Sequence, residues 1–263
     1  MAGLVLPMPG QIIMVPKVAT PSDTWRTCPN DPRYEYQIRR RDLATTIDAY
    51  VGLLTHLDGV DAATEAEDVS ANAHTITFNG SAAIEDSDGK FAQCCVFPGN
   101  GSYLQVADHA SLDSGTGPFT IEFWGKVATT WPNMPGALSH GGSSAISDAD
   151  GWRININTGH FDFQFRHDGE GNVTSTPTLP TGAWVHFAFT RDSSSDCRLF
   201  INGTQVGSTT NCTKSADSSS PFRVNSSNDA GYWGGAWSID ELKVSDGIAR
   251  YVANFTPRAK AWS

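Results

Sequence analysis

The sequence predicts an all-β protein, an antiparallel β-sandwich of two packed sheets preceded by an extended N-terminal arm. From residue 50 onward, short segments of alternating apolar and polar residues follow one another, and turn residues separate them. The composition agrees, because charged residues make up only 17% of the chain while 25 glycines and 14 prolines supply turns. Strands this short and closely spaced indicate two antiparallel sheets packed face to face.

The first 48 residues differ from the rest of the chain. They carry six Lys/Arg against five Asp/Glu, whereas the remaining 215 residues carry 12 against 23. They show little strand periodicity, a helix is predicted near residues 34–46, and five prolines precede residue 30. Because such a segment has no core of its own, it either docks on a neighbour or stays disordered.

Docking is the favoured interpretation of residues 1–48, because their apolar side chains are too many for a solvated tail. The arginine run either pairs with acidic patches on a neighbouring subunit or is a solvated charge run. The residues predicted to dock are the apolar Leu4, Leu6, Ile12, Ile13 and Val15 and the basic Arg39, Arg40 and Arg41.

The sandwich is predicted to occupy residues 49–263. Its segments are rich in β-branched and aromatic residues and end at Gly, Asn, Asp or Ser. In chain order, strands are predicted over residues 51–57, 74–78, 92–97, 102–106, 119–124, 161–165, 184–191, 221–224 and 237–244, with a hairpin around Asn202-Gly203. The clearest alternation places Phe161, Phe163 and Phe165 on one face of a strand, and Val185, Phe187 and Phe189 on one face of another.

The five cysteines do not form a disulfide framework, because their number is odd. Cys197 and Cys212 flank the predicted hairpin. A two-residue Asn-Gly turn would place Cys197 opposite Ser208, so Cys212 would lie roughly 13 Å away along the strand. That distance is too great for a disulfide unless a bulge intervenes. All five cysteines are therefore predicted to be reduced.

Several motifs, in order along the chain, carry a resemblance. They are the turn His56–Gly59, the hairpin Phe97-x-Gly99-x-Gly101-x-Tyr103-Leu104, the strand Phe119–Trp124, and the ending Gly247–Tyr251 followed by Asn254–Pro257. Together they resemble the laminin-G-like, concanavalin-A-like jelly roll found in tailed-phage virion proteins, over roughly residues 50–258. The resemblance implies a jelly-roll fold and a role in glycan contact, host adhesion or virion decoration.

The function that this resemblance implies is that of a non-enzymatic phage virion structural protein. It would be a capsid decoration (cement) subunit or a tail-associated component, made in the host cytoplasm, anchored to other virion proteins by its N-terminal arm. Its projecting lectin-like sandwich would contact host or environmental polysaccharide. The alternatives are a free-standing carbohydrate-binding module and, third, a glycan-cleaving enzyme. The sequence leaves open whether the chain forms a homo-oligomer.

Catalytic signals are weak in the sequence. Glycoside cleavage needs paired carboxylates, and the same-face neighbours of Glu122 along its predicted strand are Thr120 and Trp124. Asp240 and Glu241 are adjacent, so they are predicted to face opposite sides of a strand. The chain contains no Gly-x-Ser-x-Gly elbow and no HExxH motif. We therefore expect no enzymatic activity.

The charge and hydropathy of the chain narrow its partners. A net charge of −10 disfavours nucleic acid, whose binding needs clustered Lys and Arg. No apolar stretch is long enough to span a bilayer, and the apolar N-terminus has no basic residue before it, unlike a secretory signal. The sequence thus predicts neither nucleic-acid nor membrane binding.

Calcium is the ion that the loop carboxylates would suit, since it prefers several oxygen ligands. Asp58 follows the first strand of the sandwich and Asp240 lies in the last, and these strands are expected to pair. Asp148 and Asp150 form a second candidate site in a predicted loop. The alternative is that these aspartates only cap turns.

Sugar binding needs exposed aromatic rings beside amide and carboxylate groups. Aromatic residues in or beside predicted loops are the candidates, with Asn225 and Trp237 close to them in sequence. The alternative is that these rings close the ends of the sandwich as part of its core. The predicted glycan-binding residues are Trp131, Trp152, Asn228, Asp229, Tyr232 and Trp233.

Overall fold

The computed structural model describes residues 25–28, 31–37, 48–141, 151–157, 160–165, 173–174, 178–227 and 234–262. The chain divides into two units, one formed by Met1–Ile47 together with Ser263 and the other by Asp48–Trp262. The predicted docking residues of the N-terminal arm lie outside the described residues, as do Asp148, Asp150, Asn228, Asp229, Tyr232 and Trp233.

The described part of the first unit is a β-hairpin. β1 (Trp25–Cys28) pairs antiparallel with β2 (Asp31–Gln37), in a register that places Arg26 opposite Tyr36. The helix expected near residues 34–46 is therefore wrong for residues 34–37. Tyr34 and Tyr36 have the period of two that suits a strand, and aromatic residues favour strands over helices.

The second unit is an antiparallel two-sheet sandwich, as predicted. Its strands are β3 (Val51–Thr55), β4 (Ile76–Asn79), β5 (Ala83–Glu85), β6 (Cys94–Pro98), β7 (Tyr103–Val106), β8 (Phe119–Lys126), β9 (Met134–His140), β10 (Trp152–Asn157), β11 (His160–Phe165), β12 (Val173–Thr174), β13 (Val185–Arg191), β14 (Asp196–Ile201), β15 (Thr204–Asn211), β16 (Phe222–Val224) and β17 (Ala236–Asp246).

One sheet of the sandwich has seven strands in the order β12-β11-β10-β9-β16-β7-β4. The other has the order β15-β14-β13-β8-β17-β6-β5, and β3 also pairs with β17. The expected pairing of the first and last strands of the sandwich is thus confirmed. Because β17 bonds to β8, β6 and β3, the last strand of the chain lies in the middle of its sheet.

Helical structure in the described residues is limited to one 3-10 turn, Ala110–Leu112, between β7 and β8. The imidazole of His109 accepts a hydrogen bond from the backbone N–H of Ser111 at the start of this turn. Within the described ranges, the structure has no helix with the length and apolarity that crossing a membrane requires.

The core of the sandwich is aromatic. Phe161, Phe163 and Phe165 of β11 are all buried, as their alternation predicts. Phe163 stacks on Phe189 of the opposite sheet, with ring centroids 3.6 Å apart and planes inclined by 5°. Contacts of this kind join the two sheets directly, because β11 and β13 belong to different sheets.

The hairpin between β14 and β15 turns at Asn202-Gly203, as predicted. Both residues have positive φ, 49° and 77°, which is the conformation of a type I′ turn. A Cβ atom on Gly203 would lie 2.0 Å from the carbonyl oxygen of Phe255. Glycine is therefore required here both by the turn and by the close approach of the C-terminal segment.

A bulge changes the expected positions of the two cysteines in this hairpin. The register shifts between Cys197 and Leu199, so that Cys197 lies opposite Thr210 and not opposite Ser208. Cys212 is then only two residues beyond the partner of Cys197, and the two buried thiols share a hydrogen bond. The sequence-based separation is wrong because it assumed a regular ladder.

The C-terminal segment, residues 247–262, covers part of the outer face of the eight-stranded sheet. The hydroxyl groups of Thr120 and Thr190 donate hydrogen bonds to the carbonyls of Ile248 and Tyr251, at 2.9 and 2.8 Å. Tyr251 stacks on Phe255, with centroids 3.5 Å apart. This part of the sheet is consequently closed to large ligands by the chain itself.

Candidate functional site

A groove of about 330 Å³ opens at the end of the eight-stranded sheet where β17 begins between β6 and β8. The register places Ala236 opposite Pro98, and Ser238 opposite both Val96 and Lys126. The lining residues are Ser81, Asp88, Val96, Phe97, Pro98, Lys126, Val127, Ala128, Ala236, Trp237 and Ser238.

Charged groups stand at the rim of this groove. The ammonium group of Lys126 lies 2.6 and 2.8 Å from the two carboxylate oxygens of Asp88, whose side chain is 57% exposed. The indole Nε1 of Trp184 donates a hydrogen bond of 3.1 Å to the backbone carbonyl of Asp88, and the Trp184 ring is half-buried. Lys126 Nζ is 6.0 Å from the centroid of that ring. The rim therefore combines an accessible anion, a cation and an aromatic ring.

The walls of the groove are mostly apolar. Phe97 and Trp237 are buried and tilted against each other with centroids 5.6 Å apart, so their rings close the inner side without being exposed. Ser81 and Ser238 add hydroxyl groups. Apolar walls with a few convergent polar groups are typical of a small-ligand site, and sugars combine apolar C–H faces with hydroxyl groups.

Two of the predicted glycan-binding residues belong to the core. Trp131 and Trp152 are each only 2% exposed. Trp131 Nε1 donates to the carbonyl of Pro180, and the Trp152 ring stacks on Phe163 with centroids 5.5 Å apart. The expectation that these rings are exposed is wrong for both. A position in or beside a predicted loop does not reveal that the ring closes the sandwich as part of its core.

Asn225, which lies near the predicted glycan-binding residues in sequence, uses its side chain for hydrogen bonds within the protein. It is fully buried with φ 65°. Its Nδ2 donates to the carbonyls of Ser102 and Gly235, and its Oδ1 accepts from the N–H of Gly235 and from Trp237 Nε1. Because all four hydrogen bonds stay within the protein, this amide is not available to a sugar.

The rim residues Asp88, Lys126 and Trp184 are absent from the sequence-based list of candidates. Asp88 lies in a loop, Lys126 ends β8 and Trp184 immediately precedes β13, so the latter two are separated by 38 and 96 positions from Asp88. No local spacing could have grouped them. The remaining predicted glycan residues, Asn228, Asp229, Tyr232 and Trp233, lie outside the described residues.

The expected calcium ligands Asp58 and Asp240 both hold the loop before β6. Asp240 Oδ2 accepts hydrogen bonds from the N–H groups of Lys90 and Phe91, at 2.7 and 3.2 Å, and Asp58 Oδ1 accepts from the N–H of Gln93 at 3.2 Å. Burial, reinforced by the neighbouring Glu241 and Asp58 carboxylates, raises the pKa of Asp240 to about 7. A carboxyl group in this position would gain from a nearby cation.

Glu241 does not follow the alternation expected of its strand. It has φ 52° within a bulge of β17, where the register with β8 shifts between Asp240 and Lys243. Both Asp240 and Glu241 are buried, at 1% and 2% exposure. Glu241 binds His56, with Oε1 and Nδ1 2.6 Å apart, and this hydrogen bond raises the pKa of His56. The prediction of simple opposite faces is wrong because a bulge resets the alternation.

Glu122 is buried on the outer face of the same sheet, under the C-terminal segment. Its Oε2 accepts a hydrogen bond of 2.6 Å from the Tyr251 hydroxyl and lies 3.5 Å from His186 Nε2, and Lys243 Nζ lies 2.7 Å from its Oε1. Burial alone would raise the pKa of Glu122, but His186 and Lys243 outweigh it and lower the pKa to about 2. The neighbours of this carboxylate are basic and phenolic groups, which suits a structural ion pair.

Two clusters of three metal-ligating side chains occur among the described residues. One consists of Asp108, Asp113 and His140, and the other of Asp61, Glu85 and Asp86. Neither includes Asp58 or Asp240. Asp148 and Asp150, the second expected calcium pair, lie outside the described residues.

Comparison with known proteins identifies one family. Residues 98–249 match the model of the Concanavalin A-like lectin/glucanases superfamily, in its laminin G-like branch (Laminin_G_3). The match includes every strand from β7 to β17, and therefore both sheets and one side of the groove. No curated protein matches the sequence.

Solved structures share this fold at low identity. The binding domain of Paraclostridial Mosquitocidal Protein 1 is 17% identical with a TM-score of 0.57, and the match covers 76% of this chain and 50% of that one. The binding domain of Botulinum Neurotoxin DC, in complex with SialylT, is 13% identical (TM-score 0.57; 76% and 49% covered). The present chain thus spans about half the length of these toxin binding domains.

A smaller protein matches over nearly its whole length. Domain 4 of AbnA, a GH43 extracellular arabinanase from Geobacillus stearothermophilus, in complex with arabinotriose, is 20% identical with a TM-score of 0.57. The match covers 76% of this chain and 94% of that domain. At such identities the likeness establishes the fold alone.

Proposed function

Because the chain belongs to the Concanavalin A-like lectin/glucanases superfamily, we propose that its sandwich is a non-enzymatic carbohydrate-binding domain. The groove between β6, β8 and β17 is its binding site. The observation that carries this proposal is the rim itself, where Asp88, Lys126 and Trp184 stand together beside apolar walls.

Each rim group has a role suited to a saccharide. The Asp88 carboxylate accepts hydrogen bonds from hydroxyl groups, and the Lys126 ammonium donates to ring or hydroxyl oxygens. The half-buried Trp184 ring offers an apolar surface to the C–H face of a sugar. Structural neighbours in complex with arabinotriose and with SialylT support a saccharide ligand for this fold.

Glu122 supports a binding role over a catalytic one. It is engaged by Lys243, His186 and Tyr251, and the C-terminal segment covers it. Retaining and inverting glycosidases need a second carboxyl group at a defined distance across an open cleft. A carboxylate that stays ionised and is covered by the C-terminal segment stabilises the sheet instead of acting on a ligand.

The experiment is calorimetric titration of the full chain with arabinotriose, a sialylated oligosaccharide and purified bacterial surface polysaccharides. We expect at least one ligand to bind, and Trp184→Ala and Asp88→Asn to weaken that binding at least tenfold. Val60→Ser, at a 77% exposed position outside the groove, is the control that leaves binding unchanged. Failure of the whole panel to bind, or equal binding by the groove variants, would contradict the proposal.

The wider role we propose is that of a phage virion protein, attached to the particle by residues 1–48 while the sandwich projects from it. The support is the virion-type motif order of the sandwich, together with the apolar and arginine-rich character of the arm. Capsid decoration and tail attachment are both included. An extended apolar segment ahead of a folded domain suits docking on a neighbouring protein.

Quantitative mass spectrometry of density-purified particles tests this role. A copy number close to that of the major shell protein identifies decoration, and a few copies per particle identify a tail component. Absence from particles would refute the virion role and leave the carbohydrate-binding proposal standing. Incorporation of a chain lacking residues 1–48 at the normal level would refute docking by the arm.

Calcium at Asp58 and Asp240 is part of the proposal for the sandwich. The raised pKa of Asp240, caused by burial and by the negative charges of Glu241 and Asp58, supports a cation there. Hard carboxylate and carbonyl oxygens are the ligands that calcium prefers. The measurement is thermal unfolding with calcium and with a chelator, where equal midpoints in the two conditions would argue against the ion.

A further inference from the structure

Three metal-ligating side chains meet at one end of the seven-stranded sheet. In the strand order β9-β16-β7, Phe222 lies opposite both His140 and Val106, so these three residues form one row across the sheet. Asp108 follows two residues after Val106, and Asp113 follows the 3-10 turn. The fold thus brings both aspartates to the end of β9, where His140 lies.

His140 is a buried histidine whose ring nitrogens lie near two carboxylates without a well-formed hydrogen bond to either. The residue is 0% exposed, and within the described residues neither Nδ1 nor Nε2 makes a hydrogen bond. Nε2 lies 3.4 Å from Asp108 Oδ1, and Nδ1 lies 3.9 Å from Asp113 Oδ1. A buried polar side chain without a hydrogen-bond partner is costly, so its retention requires an explanation.

The two carboxylates are accessible while the imidazole is not. The Asp108 side chain is 37% exposed and the Asp113 side chain 26%. Asp113 Oδ1 also accepts a hydrogen bond of 3.1 Å from the N–H of Ser218. Trp152 contacts the His140 ring edge-on, with centroids 6.3 Å apart, and closes the inner side. An ion from solvent would therefore meet the carboxylates first and then the buried nitrogen.

The spacing of the donors suits a small dication. Two ligands of a tetrahedral zinc ion, each about 2.0–2.1 Å from the metal, are roughly 3.4 Å apart. This matches the 3.4 Å between His140 Nε2 and Asp108 Oδ1, and one donor atom from each of the three residues lies within 4.8 Å of the others. A small movement of the partly exposed Asp113 side chain would bring all three to one ion.

We propose that His140, Asp108 and Asp113 bind a divalent transition-metal ion, with zinc as the representative ion and water at the remaining position. The imidazole nitrogen favours such an ion over calcium and magnesium, which prefer oxygen ligands.

The second acidic cluster offers a built-in comparison. Asp61, Glu85 and Asp86 also have donor atoms within 4.8 Å of one another, but Asp61 and Asp86 are exposed and the cluster has no histidine. Exposed carboxylates alone hold transition metals weakly, and screening by salt weakens them further. If zinc bound only through clustered carboxylates, a substitution in this second cluster would weaken zinc binding as much as one in the first.

The experiment is calorimetric titration of zinc into the full-length protein after treatment with a chelator. We expect one saturable site, and at least tenfold weaker binding in Asp108→Asn and in His140→Gln. Asp86→Asn is the matched control and should bind as the unmodified protein does. Cobalt titration adds a second measurement, because the visible absorption of a bound cobalt ion reports low-symmetry nitrogen and oxygen coordination.

Three outcomes would overturn the site. They are the absence of saturable zinc binding, unchanged binding in Asp108→Asn, and equal weakening by Asp86→Asn. Since His140→Gln changes a buried residue and can impair folding, Asp113→Asn at a partly exposed position provides an independent test, and unchanged zinc affinity in that variant also counts against the proposal. Saccharide binding at the groove is measured separately, so failure of one proposal leaves the other intact.

Discussion

The ammonium group of Lys243 lies 2.7 Å from the Glu122 carboxylate, and both side chains are buried, at 8% and 1% exposure. Lys243 belongs to β17 and Glu122 to β8, so the pair joins two neighbouring strands beneath the C-terminal segment. Burial lowers the pKa of Lys243, whereas the cationic neighbours of Glu122 lower the pKa of that carboxyl group. A buried ion pair of this kind is costly to disrupt on one side only.

We expect Glu122→Gln to lower the free energy of unfolding by about 3 kcal/mol, because it leaves Lys243 buried without its anion. The pKa of Glu122 in the folded protein, about 2, lies below its value of 4.5 in the unfolded chain. Its stabilising contribution is therefore fully present above about pH 4.5 and is lost as the pH falls towards 2. Urea unfolding of both proteins between pH 2 and 6 measures this, and Asp61→Asn is the exposed control. Equal acid sensitivity in Glu122→Gln and the unmodified protein would contradict the assignment.

Asp240 should have the opposite effect on the pH dependence of stability. Its pKa is raised from 3.8 to about 7, so the folded protein holds a proton that the unfolded chain releases. Stability from this group is present below about pH 4 and is lost as the pH rises to 7, with a slope of up to about 1.4 kcal/mol per pH unit. Asp240→Asn, which keeps an acceptor for the Lys90 and Phe91 amides, should flatten that slope.

The measurement for Asp240 is the unfolding free energy at pH 5 and pH 8 in the presence of a chelator, which excludes any contribution from a bound cation. Repeating it with calcium asks whether a cation restores stability at pH 8. A slope that is the same in Asp240→Asn and the unmodified protein would show that the carboxyl group does not titrate in this range.

Cys197 and Cys212 should form a disulfide when the protein is oxidised. The bulge in β15 brings the two thiols together, and the hydrogen bond from Cys197 lowers the pKa of Cys212, which favours its thiolate. Peptide mapping after incubation with oxidised glutathione should find this pair linked. Cys94, whose pKa burial raises to about 12, is the internal control that should stay reduced. Linkage of Cys94 with no Cys197–Cys212 bond would contradict the prediction.

Gly203→Ala should destabilise the sandwich by about 2 kcal/mol or more, since it adds strain at φ 77° to a clash with the Phe255 carbonyl. Gly101→Ala is the matched control, because Gly101 also has a positive φ, 86°, but a Cβ there would have no atom within 4 Å. Chemical denaturation of both variants separates backbone strain from displacement of the C-terminal segment. If Gly203→Ala lowers the free energy of unfolding no more than Gly101→Ala does, the C-terminal segment moves away from the added Cβ without a loss of stability.

Strand periodicity was sufficient to predict the sandwich, because the phenylalanines of β11 and β13 alternate without interruption. The departures occur at bulges. Glu241 lies in a bulge where β17 has one extra residue, and Cys197 lies opposite a bulge where β15 has two extra residues. Nothing in the local sequence marks either position. The hairpin at residues 25–37 was also missed, as its two short strands lie among prolines and charged residues.

The candidate sites could not be predicted because their members are distant in sequence. Asp88, Lys126 and Trp184 meet only once the order β13-β8-β17-β6 is known. His140 reaches Asp108 because β16, a strand late in the chain, lies between β9 and β7. Trp131 and Trp152 were misassigned for the converse reason, since an aromatic residue near a loop is buried or exposed according to which strand lies opposite.

The central position of β17 has a consequence for synthesis of the protein. A ribosome makes every other described strand before β17, yet β8, β6 and β3 have no common partner until β17 enters between them. Until β17 emerges, the nascent chain therefore exposes the unpaired strand edges of an incomplete sheet, and such edges promote aggregation. Completion of this sheet therefore waits for β17 to leave the ribosome, and slowing translation upstream of β17 should lengthen the time for which the incomplete sheet binds chaperones.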